Sequence, residues 1–271
     1  MKRKPTFKDI LASEQIVIDE VTSTYGKWFV KFGQGIDVLM ALAYLNQKPP
    51  SIENNCFQQI VLHDYYQASL SFRACSLLME HGLYSDAFIC LRSLMERLIK
   101  NRYFLDYKDI AYLYEVYQNR KLRKKMTLDE KKLVKGISAK KMFDFVSEEG
   151  AYEKIYGFLC GFTHKNFGHS TFQLNQQFNA SNSLLPKFNK IPSEGLINIL
   201  LYLLYGYLNL APSFFEYEWK ESDQELLSTY KEIKAFFKDQ IIKRRALFPR
   251  FHDWDKYMRN IIEIYPENWG D

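Results

Sequence analysis

Four side chains in this sequence are of the types that handle phosphate without a metal: Arg92, Glu96, His164 and His169. In "YSDAFICLRSLMERLIKNRYF", residues 84–104, apolar residues recur at Ala87, Leu91, Leu94, Met95, Leu98 and Ile99, which form one stripe of a helix. Arg92 and Glu96 lie on its shoulder, four apart and able to pair, and Arg102 falls close to the middle of the stripe. A second apolar helix, over residues 152–162, ends in Thr163-His164, with His169 after "KNFG". A carboxylate can orient an imidazole, and an arginine can bind an anion beside it. The residues allow two readings: a phosphate-handling pocket, or a buried hydrogen-bond network that fixes helix register.

A second cluster is basic. Residues 120–141, "RKLRKKMTLDEKKLVKGISAKK", carry ten Lys or Arg against Asp129 and Glu130, a local charge of +8 within a chain whose net charge is only +5. Such a run either keeps a helical face in solvent or contacts phosphates with little sequence preference and strong salt sensitivity. The phosphate reading assigns nucleic-acid contacts to Arg120, Lys121, Arg123, Lys124, Lys125, Lys131 and Lys132, with Lys165 added from "KNFGH".

Other chemistries lack their motifs. "KFGQG" has two glycines without the strand, turn and lysine of a phosphate loop, and neither GxSxG nor HExxH occurs. His63-Asp64 and His252-Asp253 resemble the pairs of helical metal-dependent phosphohydrolases, but no histidine precedes His63 to complete a ligand set. Cys56, Cys75, Cys90 and Cys160 show no CxxC spacing and suit reduced, buried thiols. Neither a metal nor a cofactor is expected, and the absence of a signal-peptide pattern near Asp9 and Glu14 points to the cytoplasm.

The elements that must position these groups are helical throughout. Two N-terminal stretches are expected over about 6–24 and 28–46, the second weakened by Gly33 and Gly35. A hairpin follows over 56–81 and 84–105, its short "HGLY" link making the two helices antiparallel neighbours. A helix over 108–125 comes next, and "TLDE" signals a capping box for a shorter one. Residues 195–215 carry no charge and are long enough to span a bilayer, but their asparagines, tyrosines and Pro212 favour a buried central helix, so a membrane is not expected. Ser193 and Glu194 mark its start, and Ser222 and Glu225 cap a last helix to about 245. With 47% hydrophobic residues the chain can bury a sizeable core. No linker divides it, which predicts one all-α multi-helix bundle with extra helices at both ends.

The hairpin "SFRACSLLMEHGLYSDAFICLRSLMERLIKNRYF", followed by an aromatic helix ending in Thr-His, resembles an uncharacterised bacterial family of all-helical proteins near the HEPN (higher eukaryote and prokaryote nucleotide-binding) group. The resemblance covers about residues 56–215. It implies an HEPN-like core over 51–220, an N-terminal helical extension over 1–50, and a C-terminal helix and aromatic tail over 221–271. It also places Arg92, Glu96 and His164 at recurrent polar positions. Many HEPN proteins are ribonucleases of toxin–antitoxin, abortive-infection or CRISPR systems. Their signature is an Arg, usually followed by a polar residue, then four to six residues and a His, with two protomers joining their motifs at a dimer interface. This chain departs from it: seven residues separate Arg73 from His81, "KNFGH" begins with Lys165, and Arg250 and His252 lie too close. The expected function is therefore a noncatalytic RNA-, nucleotide- or partner-binding module in defence or stress response. It would act as a homodimer or with an effector or antitoxin protein. The alternative is a metal-independent endoribonuclease, in which His164 serves as general acid or base, Arg92 stabilises phosphate charge, Glu96 orients one of them and His169 is a second acid or base.

Overall fold

The computed structural model describes residues 6–46, 56–147, 150–157, 159–160, 188, 190–215 and 220–247. Among them every regular element is a helix and no strand occurs. The chain begins with α1 (Phe7–Leu45), started by a capping box in which Thr6 and Asp9 exchange backbone-to-side-chain hydrogen bonds. One unbroken helix replaces the two stretches expected. Gly26 and Gly33 leave the helical backbone undisturbed, because Val21, Tyr25, Phe32 and Ile36 bury one continuous stripe across them.

The hairpin consists of α2 (Cys56–Glu80) and α3 (Tyr84–Asp106), packed along each other. Its turn follows from Gly82, whose φ of 72° suits a residue without Cβ. Gly82 N–H donates to the Met79 carbonyl and Leu83 N–H to the Leu78 carbonyl, the Schellman arrangement that closes a helix end.

Four shorter elements follow. The helix expected to reach residue 125 ends at α4 (Lys108–Gln118); Asn119 then caps the single turn α5 (Arg120–Arg123). The capping box at Thr127 and Glu130 starts α6 (Leu128–Lys135) as its sequence foretold. Ser138 caps α7 (Ala139–Val146), which packs on α3. A π-helical turn at Tyr152–Tyr156 comes after it.

The uncharged segment forms α8 (Lys190–Phe214), beginning a few residues before Ser193, whose hydroxyl instead meets that of Tyr84. Pro212 falls in its last turn. This helix is long and apolar enough to cross a membrane, and 89% of its apolar window is buried within the molecule. Three tyrosine hydroxyls find backbone acceptors in this interior: Tyr207 on Leu94, Tyr65 on Tyr207, and Tyr230 on Leu208. The last helix, α9 (Gln224–Leu247), packs on α1 and α8 after a 3₁₀ turn whose Asp223, rather than Glu225, accepts from the backbone at Lys220. A single continuous hydrophobic core draws on α1, α2, α3, α8 and α9.

Candidate functional site

Arg92 and Glu96 lie one turn apart on the flank of α3, half-buried, and they pair as their spacing required. Arg92 Nε donates to Glu96 Oε1 at 3.1 Å. Their third partner is Tyr156, carried in by the π-helical turn. Arg92 Nη2 donates to the Tyr156 hydroxyl at 2.9 Å, and that hydroxyl donates to Glu96 Oε1. The tyrosine ring is fixed by stacking on Tyr152 at 4.9 Å and by Phe143 of α7 at 5.3 Å. Burial and the hydrogen bond to Glu96 push the Tyr156 hydroxyl well above its usual range of ionisation. It therefore stays a proton donor. In the sequence Tyr156 belongs only to an apolar stretch; the signal for its role is that a buried tyrosine hydroxyl needs a polar partner. His164, His169 and Lys165 lie outside the described residues, so the ring closed by Tyr156 is the part of the expected pocket that the structure describes.

One turn beyond, α3 presents Lys100 to two carboxylates. Its Nζ stands 2.7 Å from Asp64 Oδ2 on α2 and 2.8 Å from Glu115 Oε1 on α4. Asp64 is buried, while its sequence neighbour His63 points outward, 3.9 Å from it. Asp64 thus serves a lysine on the next helix. Among the described residues no group of three or more His, Cys, Asp and Glu side chains could hold a metal ion. Cys75, Cys90 and Cys160 are free thiols, and burial raises the first two above the usual thiol range. Arg102 is buried and bonds Asp106 at 2.7 Å.

The basic cluster folds into a concave surface. The caps at Asn119 and Thr127 break residues 108–135 into three short helices that turn back on one another, and a cleft of about 490 Å³ opens between them. Arg120, Arg123, Lys124, Lys131, Lys132 and Lys135 line it, with Tyr117 and Leu128. The Arg123 guanidinium lies 5.2 Å from the centre of the Tyr117 ring, which holds one cation in place. Lys132 is tied to Asp129 at 3.2 Å, and Glu130 is occupied by its own helix cap. Five of the expected phosphate contacts thus share one cleft. Lys121 and Lys125 are exposed outside it, and Lys135, a member of the basic run without an assigned phosphate contact, joins it.

Residues 58–132 match a family of unknown function (DUF5677). The match spans the α2–α3 hairpin, α4, α5 and the start of α6, and so includes the Arg92–Glu96 pair, the Asp64–Lys100–Glu115 group and most of the basic cleft. No curated protein and no solved structure matches the chain.

Proposed function

We propose that this protein is a noncatalytic RNA-binding module with an HEPN-like helical core, engaging phosphates through the cleft between α4, α5 and α6. The observation that carries the reading is the convergence of Arg120, Arg123, Lys124, Lys131, Lys132 and Lys135 on one cleft, with no carboxylate among the described residues that line it. Six cations around one concavity repel each other, and a run of phosphates is the partner that neutralises them together. The single aromatic ring among the described residues of the lining, Tyr117, is already engaged by Arg123, so base stacking contributes little and binding is largely independent of sequence. A cytoplasmic place in a defence or stress-response system fits this reading and the resemblance of the hairpin. The ribonuclease alternative draws less support, because Arg92 and Glu96 are bound to each other and to Tyr156.

The test is fluorescence anisotropy with a labelled single-stranded RNA over a range of salt. Six phosphate contacts predict a slope of log affinity against log salt of about −4, a loss of about 10²–10³ in affinity from about 50 to about 200 mM. Absence of binding at the lowest salt sinks the proposal. Displacement of the RNA by mononucleotides at equal phosphate concentration would shift the ligand from polymer to nucleotide.

A further inference from the structure

The six cations of the basic cleft stand in two rows. Arg120, Arg123 and Lys124 follow at helical spacing and share one face of α5 and its C-terminal cap. Leu128, Lys131, Lys132 and Lys135 share one face of α6 by the same rule. Both faces line the one cleft of about 490 Å³, so a phosphate backbone lying in it is met by cations from two sides. A space of that volume is roughly 8 Å across, narrower than the major groove of about 12 Å that separates the strands of a duplex. Only one strand enters. Its bases must be unpaired, because in a duplex the inner side of each backbone is taken by the base pairs and only the outer side meets a protein.

The lining also offers little that could read the sugar. RNA is told from DNA through the 2′-hydroxyl, which both donates and accepts a hydrogen bond. Lysine and arginine only donate, and ionised phosphates draw those donors more strongly than a neutral hydroxyl does. Among the described residues of the lining there is no Asp, Glu, Asn, Gln, Ser or Thr to accept the 2′-hydroxyl proton, and Tyr117 supplies the single neutral hydroxyl against six cations. We infer, resting on the proposed binding of RNA phosphates in this cleft, that it grips the backbone of one unpaired strand without reading its sugar. It takes single-stranded DNA as readily as single-stranded RNA and rejects duplexes of either.

The test is fluorescence anisotropy on the full chain at about 50 mM salt with a strand of about 16 nucleotides free of self-complementarity. It is offered as RNA, as DNA of the same sequence, and as each annealed to its complement. The two single strands bind within about threefold of each other, and each duplex binds about tenfold more weakly or worse although it carries twice the charge. Unlabelled DNA strand displaces the labelled RNA completely, and Lys124→Ala/Lys131→Ala, one cation from each wall, weakens both strands by the same factor. A DNA strand bound about tenfold more weakly than RNA overturns the inference, as does a duplex bound as tightly as its strand. Both outcomes leave RNA binding in the cleft standing. A loss confined to RNA in the double variant places DNA elsewhere and also overturns the inference. Binding of none of the four probes removes the RNA reading itself, and this inference with it.

Discussion

Lys100 Nζ lies 2.7 Å from Asp64 Oδ2, and this contact ties the two helices of the hairpin together below their surface. The side chains are 16% and 7% exposed, so neither charge is solvated once its partner is gone. Lys100→Met strands the buried carboxylate and destabilises by about 3–5 kcal/mol, whereas Asp64→Ala leaves the lysine paired with Glu115 and destabilises less. Asp64→Leu with Lys100→Met removes both charges and recovers most of that loss. Urea unfolding of the three variants measures it, and single substitutions that shift the midpoint no more than surface changes do would show that the pair is solvated.

The same contact sets a pH dependence. Burial opposes the Lys100 charge, but Asp64 and Glu115 outweigh it and raise the amine above its ordinary value of 10.5. The unfolded chain therefore releases this proton first as the solution becomes alkaline. The stability that Lys100 supplies is complete below about pH 10 and is lost as pH rises through its folded-state value. The difference in unfolding free energy between wild type and the Asp64→Leu/Lys100→Met double variant should shrink across that window. A constant difference there would show that Lys100 is not raised.

At the Arg92–Glu96 pair, the added tyrosine makes the prediction. Tyr156→Phe deletes the hydroxyl that accepts from Arg92 and donates to Glu96 while keeping the ring between Tyr152 and Phe143. Two hydrogen bonds to charged groups at a half-buried position predict a loss of about 1–3 kcal/mol. Glu96→Gln retains an acceptor for the tyrosine and should cost less than Glu96→Leu. Thermal unfolding ranks the three, and equal stability of Glu96→Gln and Glu96→Leu would remove the hydrogen bond from the account.

Two glycines on α1 should respond oppositely to alanine. A Cβ at Gly35 would lie 2.7 Å from Leu204 Cδ2 and 3.0 Å from Phe237 Cε2, both in the core. Gly35→Ala overpacks the crossing of α1, α8 and α9 and costs about 1–3 kcal/mol. Gly33 has nothing within 4 Å of such a Cβ, so Gly33→Ala raises stability by up to about 1 kcal/mol through helix propensity alone. Chemical denaturation distinguishes the two signs.

What could be read from the sequence was local. Thr127 and Glu130 announce their capping box because both partners lie within four residues, and the Gly82 turn fixes the hairpin for the same reason. Arg92 and Glu96 pair because helical spacing alone brings them together. Tyr156 and Lys100 were not legible as partners, since the tyrosine reaches Glu96 over 60 residues and Asp64 reads locally as a companion of His63. The glycines of α1 were misread in the opposite direction: local propensity favours a break, but the packing of Tyr25, Phe32 and Ile36 on the other helices outweighs it. For the basic cluster, the count of charges was legible and the concavity was not. The cleft depends on where two short caps turn the chain, and on Lys135 being brought round to face Arg120.

That concavity yields the sharpest test of the proposed function, because it separates cations of the same charge and the same stretch of sequence by position. Lys124 and Lys131 line the cleft, whereas Lys121 and Lys125 are exposed outside it. Replacing either pair by alanine removes the same charge, so binding through a diffuse positive field would weaken equally in both double variants. Binding in the cleft weakens unequally. Lys124→Ala/Lys131→Ala should flatten the salt slope by about 1.4, the share of two contacts on a single strand, while Lys121→Ala/Lys125→Ala leaves it nearly unchanged. All four lysines are on polar surfaces away from the core, so both variants should unfold like wild type and the comparison reads binding alone. Equal slopes in the two variants would leave the charge of this region intact as an attractant and would remove the cleft as its binding site.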